Sequence, residues 1–173
     1  TTQLRALTSL QVAALETNDL MSLTTDQLAG MTTSQLAALT TAQLSKGLST
    51  DQIAVLTTAQ VVALSATQIA NGLTTTQLAK LSTTDVAALT TEQVAGLTTT
   101  NAQALSADQV ANLSTRQVAA LTSAGVGALS TANIVALTTA QVRAELMAHA
   151  PDGAETGKVV WVGLQLTHQP EWH

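Results

Sequence analysis

The chain lacks cysteine, phenylalanine and tyrosine, and its only aromatic residues are Trp161 and Trp172. Without cysteine it has neither a disulfide framework nor a thiolate metal site. Rings that could stack on bases or sugars are absent from the first 160 residues. These absences exclude disulfide-stapled folds and zinc-finger-like modules, and we predict no cofactor.

Positive charge is also scarce. Six Lys and Arg residues are scattered singly along a chain of net charge −5, so no basic stripe could neutralise phosphates, and nucleic acid is excluded as a partner. Thr, Ser, Gln or Asp interrupts every apolar run well before the roughly 18 to 20 residues that a membrane span needs. The charged residues fall mostly at variable positions of the repeat described next, and we interpret them as solubilising: Arg5, Asp26, Lys46, Asp51, Lys80, Asp85, Glu92, Asp108, Arg116 and Arg143.

An eight-residue phrase of the form Leu-Thr-Thr-x-Gln-Val-Ala-Ala recurs from the first residue to about Ala150. A second apolar residue follows each leucine anchor by five positions, and only Ala102 supplies a weak side chain there. No single octad could bury a core alone, so the pattern predicts an array in which each unit packs on its neighbours. We expect an octad-repeat solenoid over residues 1–150 and a separate segment over 151–173.

The octad carries a helix start. Thr40 and Gln43 form a capping box, in which the hydroxyl accepts from the third helical amide and the glutamine reaches back to the cap amide. Leu39 and Leu44 take the two positions of a hydrophobic staple. The same phrase returns in octad after octad, which predicts a new short helix about every eight residues.

Three other architectures compete with this one. In a continuous helix, a step of eight residues at about 100° each would rotate the anchor by about 80° and leave no apolar stripe. A coiled coil needs a seven- or eleven-residue repeat. A β-solenoid would put the two apolar positions on opposite faces and leave the capping boxes unexplained. The predicted fold class is therefore mainly α, a solenoid of very short helices, with a β-solenoid as the main alternative.

Three steps between anchors are nine residues long, from Leu39 to Leu48, Leu64 to Leu73 and Leu137 to Leu146. The first two carry the pairs Lys46-Gly47 and Asn71-Gly72. If three octads make one coil of a roughly triangular solenoid, all three insertions fall at the same corner.

Two positions of the octad repeat a polar residue along the chain, threonine at one and glutamine at the other, and either of these columns could have a function. Rows of threonine are similar to the surfaces of ice-binding proteins, although one threonine of each pair is already a helix cap. The glutamine column could form a side-chain amide ladder as well as close capping boxes. The repeats contain no paired carboxylates, no Ser-His-Asp set and no phosphate loop, and all three histidines lie at or beyond His149. We therefore predict no catalytic residues and no enzyme.

The last segment differs from the repeats. Pro151-Asp152-Gly153 predicts a turn, and the apolar run from Lys158 to Leu166 predicts a β-strand that caps the solenoid or pairs with another chain. We expect the strand to mediate assembly, with Trp161 as a main anchor. His168, Glu171 and His173 could bind a metal, but terminal residues of this kind are more often solvated, so no metal site is predicted. The assembly residues are Val159, Val160, Trp161, Val162, Leu164 and Leu166.

The phrases "LTTAQVVAL", "LTTEQVAGL" and "LTTAQVRAEL" resemble the Thr-Thr-x-Gln-Val-Ala-Ala-Leu repeats of large secreted bacterial exoproteins, often described as adhesins or haem-utilisation proteins. The resemblance covers roughly Thr1 to Leu146, and no haem-binding motif accompanies it. It implies an extracellular or cell-surface structural role. Our leading hypothesis is a stalk, spacer or self-assembling fibre subunit whose partner is itself or another surface component. The alternative is a ligand-binding module that uses the threonine rows to bind ice or a surface polymer.

Overall fold

The computed structural model describes residues 2–137. Within this range the chain forms a succession of helices of four to seven residues and contains no strand. A π-helical turn, Gln68–Gly72, follows Thr58–Ala63, and residues 131–137 are helical. The α-helices are Thr2–Arg5, Ser9–Ala13, Thr17–Ser22, Thr25–Ala29, Thr33–Ala37, Thr41–Gly47, Thr50–Ala54, Thr58–Ala63, Thr75–Leu78, Thr83–Ala88, Thr91–Ala95, Thr99–Ala104, Ala107–Ala111, Thr115–Ala120 and Ser123–Ala128. The predicted solenoid of very short helices is confirmed, and the β-solenoid alternative is wrong for these residues.

Most of the helices begin at the predicted capping box. Thr40 is extended, with φ −72° and ψ 161°; its Oγ1 accepts from Gln43 N at 3.1 Å, and its own N–H donates to Gln43 Oε1 at 2.8 Å. Leu39 and Leu44, on either side of the cap, are both buried, as the staple requires. The same reciprocal pair recurs in most octads, for example between Ser49 and Gln52.

Each helix ends at the next leucine anchor or one to three residues before it. Leu64, with φ −68° and ψ 141°, leaves the helical region, while its N–H still donates to Val61 O at 3.2 Å. The cap residue that follows an anchor is extended as well, for example Thr90 after Leu89. Because two successive residues are extended, the chain turns sharply before the next helix. One octad is therefore one helix and one corner.

Helices three places apart in the chain pack against each other. Thr17–Ser22 packs on Thr41–Gly47, which in turn packs on the π-helical turn Gln68–Gly72, and Thr91–Ala95 packs on Thr115–Ala120. The extensively packed helix pairs within residues 2–137 all have this separation, counting the π-helical turn as one helix. Three octads therefore complete one coil, as the positions of the insertions indicated.

A single apolar core runs along the inside of the coils. The anchors from Met31 onward and the residues five positions after the anchors supply nearly all of it. Ala102, at 0 % exposure, is the one small side chain among these second positions, and its helix lies between Thr75–Leu78 and Ser123–Ala128 in the stack. Since each helix is too short to be stable alone in water, this shared core holds the helices in place.

The inserted residues allow close contact between coils. A Cβ atom on Gly72 would lie 2.9 Å from Leu44 Cδ1, and one on Gly47 would lie 3.1 Å from Leu20 Cδ1. Each glycine therefore lies directly against the helix of the preceding coil, where a larger residue would force the helices apart. Thr41–Gly47 and Gln68–Gly72 pack together, so these two insertions share one side of the solenoid, as predicted. The third insertion, before Leu146, lies outside the described residues.

Candidate functional site

Successive coils are connected by a repeated polar contact, which we call the glutamine joint. It consists of the glutamine at the third helical position and its hydrogen-bond partners in two coils. Gln52 Oε1 accepts from Ser49 N at 2.7 Å, while Gln52 Nε2 donates to Leu20 O at 2.9 Å and to Leu23 O at 2.7 Å. The two carbonyls lie at the end of helix Thr17–Ser22 in the preceding coil. One side chain thus completes the start of one helix and the end of another.

The joint pairs backbone amides and carbonyls that very short helices leave without partners. A helix leaves its first amides and its last carbonyls without partners inside the helix, and in an array of five-residue helices such groups make up most of the backbone. Gln52 is 3 % exposed, so its own amide must also be paired. A primary amide carries both an acceptor and two donors, whereas a carboxylate has no donor and leucine has neither. Glutamine therefore meets every requirement of the position.

The same joint forms along most of the described chain. In the first coil, Gln11 and Gln27 make only the capping contacts, without a hydrogen bond to another coil. The glutamines of the described coils do not form the side-chain amide ladder that was one possibility for this column, because their donors go to backbone carbonyls rather than to other glutamines. Glutamines that donate to carbonyls 28 to 33 residues earlier are Gln35, Gln43, Gln52, Gln60, Gln68, Gln77, Gln93, Gln109 and Gln117.

Asp85 takes the glutamine position in its octad. The interpretation of Asp85 as an exposed solubilising residue is wrong, because it is 6 % exposed and fully engaged in hydrogen bonds. Its Oδ2 accepts from Ser82 N at 3.2 Å and Ser82 Oγ at 2.6 Å, and its Oδ1 accepts from Thr58 Oγ1 at 2.7 Å. A carboxylate cannot donate to the carbonyls below, so a threonine hydroxyl from the preceding coil supplies the contact instead. The sequence does carry a signal for this role, because Asp85 follows the cap residue Ser82 by three positions, which is the spacing of the capping box.

Four further positions depart from glutamine, and the first of them, Asp19, lies in the first coil, where its Oδ2 accepts from Glu16 N at 3.1 Å. Asn133 is one methylene shorter and donates to a single carbonyl, Leu105 O, at 3.0 Å. Asn101 is buried and accepts from Thr98 N at 3.0 Å, without a hydrogen bond to the preceding coil. Gly125 has no side chain to offer. Sequence reasoning missed these departures, although the register of the octad places each of them in the glutamine column.

The outer surface of the described coils carries rows of polar side chains together with single exposed apolar residues, such as Leu10 and Met21. The cap threonines are mostly exposed, but each hydroxyl already accepts a backbone amide, as Thr40 does from Gln43. No cluster of three or more metal-ligating side chains occurs within residues 2–137, and no helix in this range is long and apolar enough to cross a membrane.

The sequence-predicted assembly residues, Val159, Val160, Trp161, Val162, Leu164 and Leu166, lie outside the described residues, together with the whole of 151–173. So do His168, Glu171 and His173. The strand and its role in assembly stay predictions.

Residues 12–46 and 71–99 match the model of the ALTTAQ repeat family. The match covers two stretches of the described helices and supports a repeat protein. No curated protein and no solved structure matches the chain.

Proposed function

We propose that the chain is an extracellular structural repeat protein that serves as a stalk, spacer or self-assembling filament subunit on a bacterial surface. The glutamine joint carries the proposal, because it connects one coil to the next by the same contacts at most steps of the described chain. An array built from like joints can be lengthened coil by coil without altering the coils already present. The family match supports the repeat character. The proposed extracellular location rests on the resemblance to secreted exoproteins.

The chemistry of the described residues favours such a role over catalysis. In Gln52 and the other complete joints, the side-chain amide is used internally, so it has little left to offer a substrate. Residues 2–137 contain no histidine, and Asp85 is the one charged side chain among them that is buried. Its carboxylate is held by Ser82 and Thr58 rather than directed into a cleft.

Binding of ice or a surface polymer by the threonine rows is less well supported. Packed helices lie about 8–10 Å apart, so the threonines of successive coils are separated by roughly twice the 4.7–4.9 Å spacing of neighbouring strands. The threonine rows of this solenoid are therefore more widely spaced than rows on a β-sheet would be. Cap hydroxyls such as that of Thr40 are also held in position by the helix start rather than free to organise water.

Removal of one coil tests the spacer proposal. Deletion of residues 89–112 removes three octads and joins Ala88 to the anchor Leu113. We expect a folded helical protein whose long axis, measured by small-angle X-ray scattering, is shorter by about 8–10 Å. The matched control is deletion of residues 89–108, in which the number of residues removed is not a multiple of eight. This variant should lose cooperative thermal unfolding.

Other outcomes would contradict the proposal. If both deletions unfold alike, the coils are not modular units. If the intact chain lowers the freezing point of water in a thermal-hysteresis assay, the ligand-binding alternative is correct. Antibodies against the chain should label intact cells of the source organism; labelling only after permeabilisation would refute the surface location.

A further inference from the structure

The glutamine joint is complete in one part of the solenoid and interrupted in another. Each of the six successive joint positions from Gln35 to Gln77 donates to at least two carbonyls of the preceding coil. From there on, the column reads Asp85, Gln93, Asn101, Gln109, Gln117, Gly125 and Asn133. Four of these seven are not glutamine, so the connections between coils are fewer in the later part.

The missing donors leave particular helix ends without their usual partner. In nearly all complete joints the anchor carbonyl 28 or 29 residues earlier receives the shortest bond, as Leu64 O does from Gln93 Nε2 at 2.6 Å. By the same register, Asp85, Asn101 and Gly125 face the anchors Leu56, Leu73 and Leu97. No side-chain amide among the described residues donates to these three carbonyls, which weakens each of the corresponding contacts.

Two helices of the same later part have a small core side chain or a low helix propensity. Ala102 replaces the larger aliphatic residue found at the other second positions, so helix Thr99–Ala104 contributes less apolar surface to the core. Helix Ser123–Ala128, which packs on it, contains Gly125 and Gly127, and glycine is a poor helix former. Two helices that are weak for different reasons are thus stacked on each other.

We infer that the solenoid is divided into a tightly joined part, residues 31–81, and a loosely joined part, residues 97–137, and that the second opens by local unfolding while the first stays folded. In a solenoid, stability is approximately a sum of the repeats and of the interactions between neighbours, so the coils that are joined by fewer hydrogen bonds open first. The inference concerns conformational stability alone and holds whether or not the chain is a stalk.

Hydrogen exchange of the full chain, read by mass spectrometry, tests the division. Amides of residues 99–128 should exchange on the order of tenfold or more faster than those of residues 35–78, under conditions where the chain is otherwise native. Equal protection of the two parts, or faster exchange in residues 35–78, would overturn the inference.

A matched pair of variants tests the cause. Asn101→Gln restores a full-length amide opposite Leu73 O, and exchange in helix Thr99–Ala104 should slow several-fold. Thr100→Gln adds the same side chain at the adjacent exposed position and should leave exchange unchanged. If the two variants behave alike, the joint does not set the order of opening and the inference is wrong; residues 35–64 should be unaffected in both.

Discussion

Replacing Gln93 by glutamate tests the joint with almost no change in shape. In the native chain, Gln93 Oε1 accepts from Thr90 N at 2.8 Å, and Nε2 donates to Val61 O, Val62 O and Leu64 O at 3.3, 3.2 and 2.6 Å. Glutamate keeps the acceptor but, when ionised, turns its second oxygen toward three carbonyl oxygens. The variant therefore removes the donor and adds repulsion in a position that is 3 % exposed.

The magnitude follows from the bonds lost. The two Nε2 protons are lost; a net contribution of about 1 kcal/mol for each, together with a penalty of about 1–3 kcal/mol for buried acceptors left unpaired, gives a loss of about 3–5 kcal/mol at neutral pH. Burial and the facing carbonyls favour the protonated acid, so the pKa of the introduced carboxyl in the folded Gln93→Glu variant lies above its unfolded value. The protonated acid can donate to one carbonyl, which returns part of the lost stability.

The sign of the pH dependence is then determined. A pKa raised by folding means that the folded state holds the proton more tightly, so the variant is most stable below the unfolded pKa and loses stability as the pH rises through the folded pKa. Urea unfolding at about pH 4 and about pH 7 measures this difference directly. The control is Gln27→Glu, which keeps its capping contact with Thr24 and has no carbonyl opposite it in the described chain. If Gln93→Glu is as stable at pH 7 as at pH 4 relative to the native chain, or if Gln27→Glu shows the same dependence, the account of the joint is refuted.

Three other predictions address the core, the insertions and assembly. Leu89→Asp places an unpaired charge at a position that is 4 % exposed and should lower the free energy of unfolding by about 4 kcal/mol or more. Glu92→Lys, at an exposed position, should change the free energy of unfolding by less than about 0.5 kcal/mol. Equal effects would mean that the inside and outside of the octad are wrongly assigned. Gly72→Ala should destabilise the fold by about 1–3 kcal/mol, because the new Cβ would meet Leu44. Gly127→Ala, with nothing within 4 Å of the new Cβ, should stabilise the fold by about 0.5–1 kcal/mol. Thermal unfolding that ranks the two variants in the opposite order would contradict the stacking of the coils. Deletion of residues 151–173 should leave a helical array that no longer self-associates in sedimentation; unchanged association would remove the assembly role of the strand.

The local parts of the fold could be predicted from the sequence because their causes are local. The capping box joins Thr40 to Gln43 within four residues, and the glycines at the two longer steps mark where coils must approach closely. These features predict a helix and a corner in each octad. The register of the insertions then favours three octads per coil.

The joint between coils was harder to predict because its partners are 28 to 33 residues apart. A glutamine that closes a capping box uses one oxygen, and nothing in the octad states where the remaining amide protons point. Their partners depend on the number of helices per coil, which packing decides. The burial of Asp85 was missed for the same reason, since its octad position alone does not show that Thr58 of the preceding coil lies opposite.

The central claim is that the glutamine side chain of one coil completes the helix end of the coil before it, and nuclear magnetic resonance of the side-chain amides tests it most directly. The Nε2 protons of Gln52 should exchange slowly with water and show nuclear Overhauser contacts to residues 20–23, whereas those of Gln27 should exchange rapidly. Equally rapid exchange of both amides, or contacts from Gln52 to a different set of residues, would contradict the three-octad coil and the joint together.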